Sequence, residues 1–250
     1  MFETALADGV LRLARPGTTW LSTGWDGGFA DADAAYNVTV PEGWDRTDLD
    51  AYIEHRRERA GFEAAGPTLL TGVEQRHARG ARLDPAVAYA TAGLSNPAAL
   101  PMEPAGDGGD GAPESADLTG PADSPDSTKS SDPPDVGTVN VVVGTTRRLD
   151  DAGLATLLGV AVEAKTATLL AEAGVPGTTT DAVVVGSDAD GEPEPFAGSA
   201  TAVGAAARAC VRDAVRASLQ SRYAERARPG SVADAEYGVV TGRRAEVFAP

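Results

Sequence analysis

The chain has 250 residues, of which 42% are hydrophobic, and its 37 acidic and 21 basic residues give a net charge of −16. This length and hydrophobic content predict one good-sized core, and therefore one domain or one interrupted domain. The acidic balance argues against nucleic acid and anionic lipid as partners, since both are bound by basic surfaces. One cysteine excludes an internal disulfide framework, and two histidines exclude a His-rich metal site.

The sequence predicts a cytoplasmic protein. It contains no run of about 18 uninterrupted strongly apolar residues, so we expect no membrane span. The N-terminal stretch MFETALADGV lacks the basic start and apolar run of a signal peptide.

The first half of the chain, residues 1–102, is predicted to be rich in strands. Asp48 is the expected N-cap of a helix through LDAYIEHRRERAGF, and WDGGFAD is the expected turn between two strands. Alternating apolar positions and flanking turn residues predict the strands LRLARPG, TTWLST, YNVTV, PTLLTGVEQRHARGARL and AVAYATAGL.

Residues 103–135 consist mainly of Pro, Gly, Ser and Asp. They include nine acidic residues and one lysine, so they carry −8 of the net charge of −16. Such a segment cannot bury enough apolar surface to offset the entropy of ordering it, which predicts a disordered acidic loop joining two halves of one fold.

The second half, residues 136–250, alternates strands and helices. TVNVVVGTT and DAVVVGS predict buried strands. A long helix is expected from Asp150 or Asp151 to about Gly174, and a second from about Thr201 to Glu225. YGVVTGRRAEVF predicts a final hairpin. The order of elements indicates an α/β fold, a layered mixed sheet with packed helices, forming a single domain interrupted by the acidic loop.

Lys165 is the residue that stands out in this pattern. The chain has only two lysines, and the other, Lys129, lies in the acidic segment. On a helix with about 100° per residue, Lys165 lies at the centre of an apolar stripe, whereas Glu163 projects from the opposite flank. The stripe consists of Leu154, Leu158, Ala161, Val162 and Leu169. Lys165 therefore either extends its apolar stem to the surface, with Glu172 as one available partner, or serves as a desolvated ammonium beside a polar cavity.

Other polar residues interrupt or end predicted strands. Asn140 lies within TVNVVV, GTTTD at 177–181 precedes AVVV, and TAGLSN at 91–96 ends a strand. Turn and cap chemistry explains each of the last two stretches taken alone. Several such stretches beside strand ends in one small fold also fit the rim of a polar site.

Taken together, these motifs resemble the adenosylcobinamide amidohydrolase family of corrinoid salvage, in a haloarchaeal-type version. The matching sequence motifs are LST followed by DGG and Asn37, then ATAGLSN, GTVNVVV, EAKT, GTTTDAVVVG and TAVG. They cover most of residues 18–220 in order and spacing. The acidic loop and the Arg-rich C-terminal tail depart from the family pattern. Neither departure falls within a matched motif, so both concern the surface and assembly rather than the activity.

The resemblance implies hydrolysis of the amide that joins the aminopropanol arm to the corrin ring, which gives adenosylcobyric acid and 1-amino-2-propanol. The reaction requires a nucleophile, stabilisation of an oxyanion and a proton for the departing amine. Lys165 or Glu163 is expected to activate a water or a hydroxyl, with Ser95 among the hydroxyl candidates, and Asp181 is expected to orient Lys165 or the amine product. The expected substrate contacts are Asn140, Asn96, Thr166, Thr178, Thr179, Thr180, Gly27 and Gly28.

The sequence disfavours a Cys–His or Ser–His mechanism. Cys210 falls on the apolar face of the last helix, His55 lies in the charged first helix, and His77 matches none of the motifs. A metal site at Glu163 and Asp181 would supply few of the oxygen ligands that a hard cation prefers. We therefore expect no cofactor beyond the corrinoid substrate, and we leave metal dependence and homo-oligomer formation open.

Two other classes of protein remain as alternatives. A non-catalytic corrinoid or nucleotide carrier would use the same polar rim, although no Walker or dinucleotide-type glycine pattern is present. A structural or interaction protein would have these polar stretches scattered over its surface.

Overall fold

The computed structural model describes residues 2–41, 48–103, 137–235 and 237–250. Its helices are α1 Leu49–Arg59, α2 Asp151–Ala173 and α3 Ala202–Arg222. Its strands are β1 Glu3–Ala7, β2 Val10–Ser22, β3 Gly28–Thr39, β4 Thr68–Thr71, β5 Arg79–Leu83, β6 Ala86–Ala92, β7 Pro97–Ala99, β8 Val139–Arg148, β9 Gly177–Thr178, β10 Ala182–Pro193 and β11 Val239–Val240. These elements confirm the predicted α/β class.

The strands form a large mixed sheet and a small one. The large sheet has the order β4-β3-β2-β10-β8-β6-β5, with β1 paired to β2, and the small sheet has the order β11-β7-β9. β8 and β10 run parallel, as do β3 and β4, and the other pairs of the large sheet are antiparallel. Because β6 and β8 pair directly, the two halves of the chain that flank the acidic segment contribute to one sheet.

The two faces of the central strands bury different clusters, as the alternation of side chains along a strand requires. Val139, Val141 and Val143 of β8 pack with α2 and α3 in the largest core cluster. Val142 points to the other face, where it joins a second cluster with Trp20 and other residues of β2 and β3. The main core therefore lies between the sheet and the two long helices.

Helix α2 begins and ends where the sequence predicts. The Asp150 side chain accepts a hydrogen bond from the Gly153 N–H, and Gly174 ends the helix in the left-handed conformation, with φ of 70°. By length and composition alone, α2 is long and apolar enough to cross a membrane, because an 18-residue stretch within its 23 residues has a mean hydropathy of 1.5, although Glu163 and Lys165 interrupt the apolar sequence. Leu154, Leu157 and Leu169 are nevertheless fully buried against the sheet and α3, which is typical of a core helix.

Several predicted boundaries are wrong. LRLARPG and TTWLST form one strand, β2, whose pairing with β3 shifts register between Ala14 and Thr18 instead of breaking there. PTLLTGVEQRHARGARL forms the separate strands β4 and β5 with a 3₁₀ turn between them, Gln75–His77. The predicted C-terminal hairpin is absent from residues 237–250, because Val239 and Val240 pair in parallel with β7 rather than with a returning strand.

The predicted acidic loop at 103–135 lies, apart from Glu103, outside the described residues. Glu103 itself lies 3.6 Å from the Arg244 guanidinium, measured from Oε2 to Nη2.

We expect Asp150→Ala to lower the free energy of unfolding by about 1 kcal/mol, because it removes the N-cap of α2. Asp151→Ala is the matched control, since Asp151 is in the first turn but is not the capping residue. Urea denaturation of both variants in molar KCl measures the difference. Equal losses of stability would contradict the capping assignment.

Candidate active site

The candidate site lies where β8 and β10 begin, between the middle of α2 and the small sheet. Asp181 immediately precedes β10, and Val139 is the first residue of β8. The short strand β9 follows the turn after α2 and pairs with β7, with Pro97 opposite Thr178 and Ala98 opposite Gly177. These connections bring EAKT, GTTTD and the end of ATAGLSN into one region.

A buried ion pair between Lys165 and Asp181 forms the centre of this region. The two side chains are 7% and 10% exposed, and Lys165 Nζ donates to Asp181 Oδ2. The carboxylate also accepts from the Val139 N–H at 2.9 Å, from the Thr178 N–H at 3.1 Å and from the Thr178 hydroxyl. Since buried charges are stable only when paired and hydrogen-bonded, Asp181 compensates the lysine and fixes its position.

Gly177 belongs to this arrangement because no side chain fits at its position. A Cβ atom there would lie 2.6 Å from Asp181 Oδ2 and 3.5 Å from Lys165 Nζ. The backbone of β9 therefore packs directly against the ion pair. This close approach explains the glycine at the start of GTTTD.

A rim of hydroxyl groups surrounds the ion pair. Asn96 Nδ2 donates to Thr179 Oγ1 at 2.6 Å and lies 3.4 Å from Thr180 Oγ1, which is 2.8 Å from Thr138 Oγ1. Asn96 is buried, whereas Thr179 and Thr180 are exposed. Because Thr179 Oγ1 accepts from the amide, its own proton can be donated outward. The motif GTVNVVV contains Thr138, but sequence reasoning did not assign it to the site.

Asn140 belongs to a different, fully buried network on the other face of the sheet. Its Nδ2 donates to Asn37 Oδ1 and to the Leu70 carbonyl, both at 2.9 Å, and Asn37 in turn donates to Thr91 Oγ1 at 2.9 Å. Asn140 is 1% exposed and shares its face with Val142, not with the helix-facing Val139. The structure thus places Asn140 on the opposite face of the sheet from the ion pair, whereas the sequence predicted a substrate contact for it.

Glu163 is also separated from the ion pair. Its carboxylate is 66% exposed and pairs with Arg208 of α3, so it cannot share a metal with Asp181, whose oxygens face Lys165 and Thr178. Glu172 pairs with Arg216 and is not the partner of Lys165. The helix is rotated slightly from the predicted stripe, because Val162 is exposed and Leu158 is only half-buried. Thr166 is half-buried on α2.

The turn containing Gly27 and Gly28 lies at the same end of the sheet. Thr23, in this turn, exchanges two hydrogen bonds of 2.9 Å with the backbone of Val183, two residues beyond Asp181. Gly28 lines a groove of about 340 Å³ next to the half-exposed Trp25. Ser95 is half-buried beside Asn96.

The predicted place of Cys210 is confirmed, since it is buried in the main core and burial raises the pKa of its thiol. His55 is exposed, as predicted. His77 differs from the expectation, because its Nδ1 lies 3.1 Å from Ser221 Oγ and forms a Ser–His pair that the motifs did not indicate. Burial lowers the pKa of His77, and Arg222 and Arg76 lower it further. That serine also accepts from Arg79 Nη2 at 2.6 Å.

Comparison with known proteins gives a consistent result. The family model described as adenosylcobinamide amidohydrolase matches residues 2–227. A relative from Halobacterium salinarum with that name is 56% identical over 252 residues, covering 100% of both chains. Another with the same name, from Methanosarcina mazei, is 26% identical over 212 residues, covering 81% of this chain and 90% of its own. No solved structure matches the chain.

We expect Gly177→Ala to lower the free energy of unfolding by at least about 1 kcal/mol, because the added methyl group would force the ion pair apart. Gly159→Ala is the matched control, since a Cβ atom at this exposed α2 position meets nothing within 4 Å. The control should gain about 0.5–1 kcal/mol from helix propensity. Thermal denaturation of both variants tests this, and an unchanged stability of the Gly177 variant would contradict the close approach.

Proposed function

The chain belongs to the adenosylcobinamide amidohydrolase family, and on this premise we propose that it cleaves the amide between the corrin ring and the aminopropanol arm of adenosylcobinamide. The products would be adenosylcobyric acid and 1-amino-2-propanol, which returns a scavenged precursor to cobamide synthesis. Family membership makes the chain an amidohydrolase, and this replaces the alternatives of a non-catalytic carrier and of a structural protein.

The buried Lys165–Asp181 pair, with exposed hydroxyls beside it, is the observation that carries the assignment of the site. Hydrolysis adds the oxygen of water to the carbonyl carbon, breaks the C–N bond and transfers a proton to the departing nitrogen. An ammonium group held in a nearly water-free position stabilises developing negative charge more strongly than it would in water. Lys165 can also donate a proton to the amine as it leaves.

Asp181 acts as a positioning residue in this proposal. Three backbone and side-chain donors and the lysine already occupy its two oxygens. A carboxylate with these acceptor positions filled is poorly placed to take a proton from water. Its role is to hold the Lys165 ammonium against β9 and to compensate its charge.

The hydroxyl rim supplies the remaining contacts. Thr179 can donate its proton to the oxyanion, because Asn96 already donates to its oxygen. Asn96 positions this hydroxyl from behind the rim, because its side chain is buried and donates to Thr179. The nucleophile is a water molecule or the hydroxyl of Ser95, Thr179 or Thr180. Trapping with hydroxylamine distinguishes these two routes, because only an acyl-enzyme gives a hydroxamate.

We expect Lys165→Met to lower kcat by at least about 100-fold, the usual contribution of a proton-transferring group. The assay incubates the purified protein with adenosylcobinamide in molar KCl and follows the acid and the free amino alcohol by mass spectrometry. Glu163→Gln is the matched control on the same helix and should retain wild-type turnover, since Glu163 pairs with Arg208 on the surface.

The substitution at Lys165 leaves a buried carboxylate without its cation, which can cost about 3–5 kcal/mol of stability. The double variant Lys165→Met with Asp181→Asn removes both charges and keeps an acceptor for Val139. It should be folded by circular dichroism and inactive. Wild-type turnover in a folded variant without Lys165 would eliminate this site.

A further inference from the structure

The C-terminal segment lies beyond the residues that the family model matches, yet it is attached to the candidate site. The match ends at residue 227, whereas β11 comprises Val239 and Val240. β11 pairs with β7 through Val239 opposite Ala98 and Val240 opposite Ala99. The Tyr237 N–H also donates to the Ser95 carbonyl at 3.3 Å, so the tail contacts the matched motif ATAGLSN.

The small sheet links this segment to the ion pair over a short distance. β7 separates β11 from β9, so Val239 and Gly177 are two strand spacings, or about 10 Å, apart. Gly177 in turn contacts Asp181 and lies next to the lysine nitrogen. The corrin macrocycle is many atoms wide. A substrate whose reacting amide lies at Lys165 must therefore extend over neighbouring surface, such as that of the small sheet.

The surface of the segment is apolar, which is unusual for a chain with a net charge of −16. Val239 is 45% and Val240 54% exposed. Large apolar side chains of Leu100, Met102 and Tyr237 are also exposed along β7 and β11. Exposed apolar clusters beside a few polar groups are typical of ligand sites, because apolar contact supplies affinity while polar groups set orientation.

We propose that Val239, on the face of the small sheet that it shares with Ala98 and Gly177, forms an apolar wall of the substrate site and binds the corrin macrocycle while its side-chain amide lies at Lys165. The inference rests on the proposed function and adds to it a determinant of affinity that is not part of the matched family region. Val239 acts on binding and not on the chemical step, since it is about 10 Å from Gly177, the residue of the small sheet that contacts the ion pair.

The test compares Val239→Thr, which keeps the β-branched shape, with Val239→Asp. Steady-state kinetics with adenosylcobinamide should give KM raised by about tenfold for Val239→Asp and less for Val239→Thr, with kcat within twofold of wild type. Val240→Asp places the same charge on the opposite face of the strand and should have a smaller effect on KM. Leu83→Asp is the matched control. It replaces a comparably exposed apolar residue on the edge strand β5 and should leave KM unchanged.

Binding of adenosylcobinamide to the Lys165→Met/Asp181→Asn protein, followed by equilibrium dialysis, separates the two proposals. A tenfold weaker Kd on adding Val239→Asp supports the wall even if the catalytic assignment fails. Unchanged KM and Kd would overturn the inference. A wild-type protein that sediments as a dimer and a Val239→Asp variant that sediments as a monomer would also overturn it, because the edge of β11 would then pair with a second copy of the chain.

Discussion

The Lys165–Asp181 ion pair is the constraint on which the rest of the site depends. A lysine ammonium in the core is unfavourable without a counter-charge, and a carboxylate there is unfavourable without donors. The chain satisfies both requirements by joining three elements at one point: α2 supplies the cation, the start of β10 supplies the anion, and β8 and β9 supply backbone N–H groups. The glycine at 177 follows from this convergence, because a side chain would occupy the space of the ion pair.

The sheet separates the polar residues into two groups with different roles. Residues beside the beginnings of β8 and β10, on the side of α2, form the ion pair and the hydroxyl rim. Asn37, Thr91 and Asn140 lie on the opposite face and hydrogen-bond to one another. This buried network fixes how β3 and β4 lie over β8, and within the described residues only the Oδ1 atom of Asn140 in it lacks a hydrogen-bond partner. The ion pair and the hydroxyl rim are therefore the group that we propose binds substrate, whereas the asparagine network joins β3 and β4 to β8.

Sequence reasoning located the elements that depend on local signals. Asp150 and Gly174 mark the ends of α2, and Asp48 caps α1, because capping uses residues close in the chain. It also placed Lys165 at the centre of the apolar stripe of α2, but it left open whether the ammonium reaches the surface or is buried. It also assigned Glu163 to the site, whereas the structure pairs Glu163 with Arg208, because the i, i+2 spacing shows that the side chains of Glu163 and Lys165 diverge but not which one meets Asp181. Pairing between distant segments, such as β11 with β7 or Asn140 with Asn37, has no local signal and could not be predicted.

The central claim is that the scissile amide lies at the Lys165–Asp181 pair. The most direct measurement is a crystal structure of the Lys165→Met/Asp181→Asn protein with intact adenosylcobinamide. The account predicts that the carbonyl oxygen of the aminopropanol amide is about 3 Å from Thr179 Oγ1, within hydrogen-bond distance. The same amide should lie next to the substituted residue 165. An amide bound instead in the groove beside Trp25, or near His77 and Ser221, would contradict it.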